Sequence, residues 1–338
     1  MTTDSMHVLS TVRFSEEQLK RLQAVSPRLR LTQHTVRSAD KVPPDVWPEV
    51  EVLCTFGALP DPDRAPRLRW VQLLSAGADH AIGHPAFKDG VTLTTASGIH
   101  AVNIGELVIL MMLAWGQRLL GLIDHQRRAD WPENRSELFV PQELRGASVG
   151  IVGYGSIGRE VGRLASAFGM RVLALDESEA PVDRGYMISG VGDPEGVIPD
   201  RVYRPDGMRR MLTECDYVVI AVPLTVATRN LIGADELRAM RSSAFLINVA
   251  RGGVVDEQAL IQALREGWIA GAGLDVFVQE PLPSDSPLWG MENVILTPHI
   301  AGLTPHYDER AADVFAENLR RYLSGRPLLN QIDLAKGY

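Results

Sequence analysis

The sequence of 338 residues contains only two cysteines, Cys54 and Cys215, and these cannot supply a disulfide framework. Positive charge is not in excess either, since the formal net charge is −8. The chain therefore has no overall basic footprint for a nucleic-acid backbone or an anionic membrane surface. We expect a protein of a reducing compartment, with no nucleic-acid partner and no membrane partner.

Long hydrophobic runs are also missing. The most hydrophobic stretch, residues 107–115, is nine residues long, whereas a membrane-spanning helix needs about 20. Residues 1–10 lack the basic and then apolar plan of a signal peptide. The sequence therefore predicts a buried helix at 107–115 and a cytoplasmic location.

The residues that are present indicate a globular protein, because 45% are hydrophobic and 22% are charged. The length corresponds to about two domains. Short apolar runs alternate with amphipathic stretches such as 160–168 and 256–266, which predicts βαβ units and parallel sheets. The predicted strands are 50–55, 70–74, 147–152, 171–175, 217–222, 244–249, 271–276 and 294–297.

Three glycines in a G-x-G-x-x-G pattern follow the predicted strand that ends at residue 152. Gly153 permits a tight turn, Gly155 lets a pyrophosphate approach the backbone, and Gly158 lets the next helix pack closely. The N–H groups of Ser156 and Ile157 would then face the phosphates at the start of that helix. This pattern predicts a dinucleotide site.

An acidic residue, Asp176, lies 18 positions beyond the last of these glycines, at the end of the next predicted strand. A spacing of about 20 is typical of the carboxylate that binds the adenosine ribose hydroxyls. Because a carboxylate repels a 2′-phosphate, the sequence favours NAD over NADP. Arg184, Arg201 and Arg204 in the loop that follows could instead bind a phosphate, so NADP stays an alternative.

Three later segments carry further polar side chains: NVARGG at 248–253, GLDVFVQEPL at 273–282 and TPHIAG at 297–302. In this order behind the dinucleotide pattern, they resemble the D-isomer-specific 2-hydroxyacid dehydrogenases, over about residues 68–323. The resemblance implies that Arg251, Glu280 and His299 are the catalytic residues.

The chemistry of these side chains agrees with the implied roles. Arg251 follows a buried strand, and its planar guanidinium could bind a substrate carboxylate and polarise the carbonyl. His299 also follows a strand, and an imidazole suits proton transfer to a developing alkoxide near neutral pH. Glu280 would orient the imidazole, although the spacing alone does not place the two side chains in contact.

The resemblance also implies contacts with the substrate and the cofactor. The backbone N–H groups of Ala76 and Gly77 are expected to hold the substrate carboxylate, and Asn103 is expected near the nicotinamide. The other expected cofactor contacts, besides the glycine-rich turn, Asp176 and His299, are Tyr154, Val222, Pro223, Thr228, Ala250, Asp275 and Gly302. No metal site is expected, because Gly83 and Pro85 interrupt the helix that would pair His80 with His84.

The fold implied by the resemblance is α/β, with two doubly wound parallel-sheet domains. A Rossmann nucleotide-binding domain, residues 99–302, is expected to be inserted into a flavodoxin-like substrate domain, residues 1–98 and 303–338. The apolar helix at 107–113 and the arm after it resemble the family's dimer interface, so we expect a homodimer.

Residues 176–207 depart from the family's pattern, because prolines and glycines replace a shorter segment that bears a helix. A lid, an interface element and a tolerated insertion are all open interpretations, and the tolerated insertion is favoured. The second departure is Val222, where many relatives carry histidine.

The expected function is an NAD(H)-dependent oxidoreductase that interconverts a 2-oxo acid and the D-2-hydroxy acid. A dinucleotide-sensing binding protein, like the C-terminal-binding-protein corepressors, stays an alternative because such proteins retain a similar triad. Phosphite dehydrogenase also stays open, whereas formate dehydrogenases are disfavoured because they carry glutamine at the position of Glu280. The sequence does not distinguish among the possible 2-oxo acids.

Overall fold

The computed structural model describes residues 5–87, 90–177, 182–183 and 185–338, and it contains two parallel β-sheets. The strands of the described residues are β1 (Met6–Ser10), β2 (Leu29–Gln33), β3 (Val50–Thr55), β4 (Trp70–Leu73), β5 (Thr92–Thr94), β6 (Ser148–Val152), β7 (Arg171–Leu175), β8 (Arg201–Tyr203), β9 (Tyr217–Ile220), β10 (Phe245–Asn248), β11 (Gly271–Leu274) and β12 (Val294–Leu296).

About half of the connections between successive strands contain an α-helix, and the others are loops and 3₁₀ turns, which also serve as the crossovers that parallel pairing requires. The helices of the described residues are α1 (Glu16–Gln23), α2 (Ala101–Gly116), α3 (Leu119–Arg127), α4 (Arg135–Leu138), α5 (Ser156–Ala167), α6 (Met208–Glu214), α7 (Ala234–Ala239), α8 (Glu257–Glu266) and α9 (Tyr307–Leu323). Side-chain caps fix two of the starts, since Ser15 and Asp256 accept hydrogen bonds from backbone N–H groups of α1 and α8.

The first of two compact units consists of the described residues of Met1–Ile99, Arg184–Ile188 and Thr304–Tyr338. Its strands pair in the order β2-β1-β3-β4-β5, which is the flavodoxin-like order. Side chains from α1 and α9 pack on one face, where the rings of Trp70 and Phe315 lie 5.5 Å apart. The other face packs around Trp47 and Leu53.

The second unit consists of the described residues of His100–Asp183 and Ser189–Leu303. Its seven strands pair in the order β12-β11-β10-β9-β6-β7-β8. Successive strand side chains point to opposite faces, so Ile151 packs with α2 and α5, whereas Val152 packs with α6 and α8. The predicted fold class is confirmed, because both units are doubly wound parallel sheets.

Four strands were not predicted from the sequence: β1, β2, β5 and β8. β5 and β8 have three residues each, too few to show a period. β2 reads LRLTQ and lies at an edge of its sheet, where polar side chains are tolerated. Although its prolines and glycines disfavour regular structure, the segment 176–207 contains β8, which pairs with β7 from Leu173↔Arg201 to Leu175↔Tyr203.

The same segment is packed into both units where the structure describes it. In the first unit, Tyr186 packs against the core, and its N–H donates to Asn330 Oδ1 at 3.0 Å. A Cβ on Gly98, whose φ is +96°, would lie 2.1 Å from the Tyr186 carbonyl oxygen. In the second unit, Asp193 is buried. These contacts argue against a merely tolerated insertion. Arg184, one of the arginines that could bind a phosphate, lies outside the described residues.

Two further expectations concern the apolar helix and the thiols. No single described helix is long and apolar enough to cross a bilayer; α2 and α3 together pass a test of length and composition, although they are bent by 66°. The apolar run lies in α2 and is largely buried. Cys54 and Cys215 are both buried, and burial raises the pKa of each thiol, to about 12 for Cys215. Both thiols therefore remain protonated near neutral pH.

Candidate active site

Three polar loops leave the carboxyl ends of three neighbouring strands in the second unit. Arg251 follows β10, Glu280 lies in the loop after β11, and His299 follows β12. These strands are adjacent and parallel. Because the carboxyl ends of parallel strands share one edge of the sheet, the three loops start side by side, where ligands bind in open α/β sheets.

The imidazole and the glutamate are in direct contact. Nδ1–H of His299 donates to Oε2 of Glu280 at 2.6 Å. The other carboxylate oxygen, Oε1, accepts the backbone N–H of Phe277 at 3.0 Å and so fixes the rotamer of the glutamate. Nδ1 therefore carries a proton that is held in the contact with Glu280. Nε2, on the opposite side of the ring, is then the atom that could exchange a proton with a ligand.

A buried carboxylate holds the loop that carries the histidine. Asp275 is 1% exposed. Its Oδ1 accepts hydrogen bonds from Thr297 Oγ1 at 2.6 Å and from Ile300 N at 2.9 Å, and its Oδ2 accepts one from Ala301 N at 3.0 Å. The His299 backbone has a φ of +53°, and its N–H donates to the Asp275 carbonyl at 2.9 Å. Left-handed backbone is unusual for a residue other than glycine, so the network maintains it.

A buried amide shapes the arginine turn. Oδ1 of Asn248 accepts Ala250 N at 3.1 Å, and Nδ2 donates to the Arg251 carbonyl at 3.1 Å. The Arg251 guanidinium donates from Nη1 to the Ala250 carbonyl at 2.8 Å. A Cβ on Gly252 would lie only 1.9 Å from the carbonyl carbon of Phe277. The arginine turn therefore packs directly on the loop that leads to the glutamate.

The glycine-rich turn has the backbone geometry that its sequence predicts. Gly153 has a φ of +98°, and a Cβ on Gly158 would lie 2.2 Å from the Gly153 carbonyl oxygen. A Cβ on Gly155 would point into open space, so a ligand could approach the backbone there. Because α5 begins at Ser156, its first N–H groups could bind a pyrophosphate.

Two of the expected cofactor residues flank this turn. The backbone N–H of Asp176 donates to the Tyr203 carbonyl at 3.0 Å, which places its half-buried side chain where β7 ends. Val222 lies beside the turn, since a Cβ on Gly153 would meet its Cγ1 at 2.7 Å. Both positions could contact the adenosine end of a dinucleotide.

The remaining expected residues are distributed over both units. Asn103 Nδ2 donates to the Ala301 carbonyl at 2.7 Å, beside the histidine loop. Thr228 Oγ1 donates to the Pro223 carbonyl at 2.6 Å. Ala76 and Gly77 belong to the first unit, after β4, where Ser75 Oγ donates to the Gly77 carbonyl at 2.8 Å.

Three side chains of the site were not singled out from the sequence: Asn248, Thr297 and His100. His100 Nδ1 lies 3.1 Å from the Gly302 carbonyl oxygen, within hydrogen-bonding distance of the histidine loop. A polar residue at the last position of an apolar strand is a usable signal for Asn248, whereas nothing local marks His100. Among the residues that the structure describes, no three His, Cys, Asp or Glu side chains are grouped as metal ligands.

Residues 109–301 match the family model for D-isomer specific 2-hydroxyacid dehydrogenase, NAD binding domain. The chain belongs to this family. A glyoxylate reductase of Thermofilum pendens is 38% identical over 264 residues, 78% of this chain and 74% of that protein. A glycerate dehydrogenase of Methylorubrum extorquens is 32% identical over 271 residues, 78% of each chain.

The family is also shown by solved structures. A D-isomer specific 2-hydroxyacid dehydrogenase from Xanthobacter autotrophicus Py2, solved with NADPH and MES, superposes with a TM-score of 0.79 and 31% identity. The match covers 99% of this chain and 100% of that one. The residues that match the family's NAD-binding domain, 109–301, lie in the second unit apart from the short stretch Arg184–Ile188.

The two glycines after the arginine give a matched pair of variants. Gly252→Ala forces a Cβ into the Phe277 backbone and should destabilise the enzyme by about 3 kcal/mol or more, the upper range for overpacking. Gly253→Ala should be tolerated, because its Cβ would lie at ordinary contact distance, 3.4 Å from Leu224. Denaturant unfolding of both variants measures the difference. Equal stabilities would contradict the close packing of the arginine turn.

Proposed function

We propose that this 2-hydroxyacid dehydrogenase interconverts a 2-oxo acid and the D-2-hydroxy acid with NAD(H). The observation that carries the proposal is the 2.6 Å contact between His299 Nδ1 and Glu280 Oε2, on loops beside the Arg251 turn. An acid–base group, a carboxylate that orients it and a guanidinium are what reduction of an anionic carbonyl compound needs.

The substrate carboxylate and carbonyl are assigned to Arg251. A guanidinium presents a planar fork of donors, so it could bind the carboxylate and polarise the carbonyl at the same time. The backbone N–H groups of Ala76 and Gly77 in the first unit are assigned to the same carboxylate, because successive amides in a turn can bind an anion.

The proton is assigned to His299. When bound, NADH would supply the hydride that the carbonyl carbon of the substrate takes up in the reductive direction. The proton on Nε2 of His299 passes to the carbonyl oxygen, which becomes the hydroxyl group. Glu280 Oε2 accepts the hydrogen bond from Nδ1–H and so keeps the ring oriented. In the oxidative direction, Nε2 takes the same proton back.

The cofactor pyrophosphate is assigned to the turn of Gly153, Gly155 and Gly158 and to the first N–H groups of α5. We assign the ribose hydroxyls to Asp176, so NAD should be preferred over NADP. The other proposed contacts are Tyr154, Ser156, Ile157, Val222, Pro223, Thr228, Ala250, Asp275, Asn103, His299 and Gly302.

A small 2-oxo acid is the proposed substrate class, with glyoxylate and hydroxypyruvate as the first candidates. Support comes from the relatives that are named glyoxylate reductase and glycerate dehydrogenase. A panel of 2-oxo acids, followed by NADH absorbance, orders the candidates. Binding of NADH without turnover of any of them would favour a dinucleotide-sensing protein instead.

We further propose that residues 99–302 form the NAD-binding domain, that 1–98 and 303–338 form the substrate domain, and that the enzyme is a cytoplasmic homodimer. Support for the dimer comes from exposed apolar side chains on α3, α4 and their connections. These are Leu119, Leu120, Leu122, Trp131, Leu138 and Val140. A concentration of exposed apolar side chains in one segment is typical of a surface that another chain covers. Sedimentation that gives the monomer mass of 37.1 kDa would contradict the dimer.

Removal of either catalytic side chain should abolish most of the turnover. His299→Ala should lower kcat by about 10²- to 10⁴-fold, the usual contribution of a positioned acid or base. Arg251→Ala should lower kcat/KM for the 2-oxo acid by roughly 10²-fold or more through lost charge stabilisation. NADH fluorescence titrations should show that both variants still bind the cofactor.

Arg265→Ala is the control for these variants, because this arginine is exposed on α8 and should leave turnover unchanged. Near wild-type rates for both His299→Ala and Arg251→Ala would contradict the proposed mechanism.

The cofactor preference should depend on the carboxylate at the end of β7. Asp176→Ala should raise the KM for NADH by about tenfold, since a hydrogen-bonded charge is worth about 1.5–3 kcal/mol. The same change should improve NADPH relative to NADH, because the repulsion of the 2′-phosphate is removed. The ratio of kcat/KM for the two cofactors measures this, and a wild-type preference for NADPH would contradict the assignment.

A further inference from the structure

A buried aspartate lies in the segment that departs from the family pattern. Asp193 is 3% exposed. Its Oδ2 accepts the hydroxyl of Tyr154 at 2.8 Å and Ile198 N at 2.9 Å, and its Oδ1 accepts Val197 N at 3.0 Å. One carboxylate therefore folds the turn 193–198 and binds the residue between two glycines of the dinucleotide motif.

An arginine of α5 completes this buried cluster. Arg159 is 3% exposed, and its guanidinium lies over the Tyr154 ring, 5.1 Å from the centroid. Its Nη1 donates to the Asp193 carbonyl at 2.5 Å, and its Nε lies 3.6 Å from Asp183 Oδ2. The buried guanidinium thus lies near the Asp183 carboxylate and binds the Asp193 carbonyl, which fits the need of a buried charge for polar partners.

A second contact joins the segment to the same helix. The Gly192 N–H donates to Glu160 Oε2 at 2.7 Å. Glu160 is 2% exposed and is held by both Nε and Nη2 of Arg163, at 2.8 and 2.6 Å. Two successive side chains in the first half of α5, Arg159 and Glu160, therefore bind residues 192 and 193.

The Tyr154 side chain is pinned between this segment and α5. Tyr154 is 1% exposed, and a Cβ on Gly162 would lie 2.9 Å from its hydroxyl oxygen. Its backbone connects Gly153 to Gly155, the part of the turn assigned above to the pyrophosphate. The position of the ring therefore fixes the position of the peptide groups that a dinucleotide approaches.

We propose that Asp193 is a positioning residue for NAD(H) binding. It holds Tyr154 and Arg159, and through them it fixes the glycine-rich turn before the cofactor arrives. This inference rests on the proposed function, because it takes the turn as the pyrophosphate site. A preorganised turn loses little conformational freedom on binding, whereas a loosened turn must be ordered by the ligand, which weakens affinity.

If Asp193 strengthens NADH binding, then NADH binding must in turn stabilise the contacts of Asp193, since linkage between two sites is reciprocal. Bound NADH should therefore stabilise the turn that Asp193 folds. The backbone N–H groups of Val197 and Ile198, which donate to its carboxylate, should exchange more slowly with deuterium when NADH is present.

The decisive experiment measures the Kd for NADH by fluorescence titration, at a temperature at which every variant is folded. Asp193→Ala and the milder Tyr154→Phe, which removes one hydroxyl, should each raise Kd by about fivefold or more, the lower end of ordinary coupling. The double variant should raise Kd by less than the product of the two single effects, because both break one contact. For Asp193→Ala, KM for NADH should rise while kcat at saturating NADH stays nearly constant.

Asp216→Asn is the matched control. Asp216 is likewise a hydrogen-bonded aspartate: it accepts hydrogen bonds from Ser148 N and Oγ at 2.8 Å each, and it pairs with Arg241 at 2.7 Å. It lies at the opposite end of β6 from the glycine-rich turn. This variant should lower the thermal midpoint and leave the Kd for NADH unchanged.

An unchanged Kd in folded Asp193→Ala and Tyr154→Phe, or an equal rise in Asp216→Asn, would overturn the inference. Equal rates of amide hydrogen exchange at residues 194–198 with and without NADH would also overturn it. The proposed function fails separately: wild-type protein that binds NADH and reduces no 2-oxo acid contradicts the reaction, while the Kd values still decide the role of Asp193.

Discussion

The candidate active site depends on the hydrogen bonds that the buried carboxylate of Asp275 accepts. This carboxylate sits where β11 ends and accepts three hydrogen bonds from the loop after β12. A charge with 1% exposure is stable only when its oxygens are satisfied. The loop therefore has to stay folded around it, and the left-handed backbone at His299 follows from that constraint.

The neighbouring loops are built in the same way: a buried polar group fixes the turn that carries a more exposed side chain. Asn248 does so for the Arg251 turn, and Gly252 lets that turn pack on the Phe277 backbone. Asp193 is the buried group that fixes the turn 193–198, and it also binds Tyr154 of the glycine-rich turn. The exposed residues would do the chemistry, and the buried ones hold the geometry.

The sequence predicts the features of this structure that depend on neighbouring residues. Alternating apolar strands and amphipathic helices predicted both parallel sheets, and the glycines of the dinucleotide turn have the backbone that their motif requires. Contacts between distant residues were not predictable. Spacing alone did not place Glu280 on His299, because the two lie on different loops, and Asp193 reaches Tyr154 across 39 positions in a segment with no apolar period. The roles of the catalytic residues remain predictions.

A crystal structure of the Asp275→Asn variant would show whether the Asp275 carboxylate holds the histidine loop in place. An amide offers one acceptor oxygen and turns an N–H₂ group toward a donor, so one side of the network must break. Residues 297–301 should move, and the 2.6 Å contact between His299 Nδ1 and Glu280 Oε2 should be lost. An unchanged loop, with His299 still in the left-handed region and still on Glu280, would contradict it.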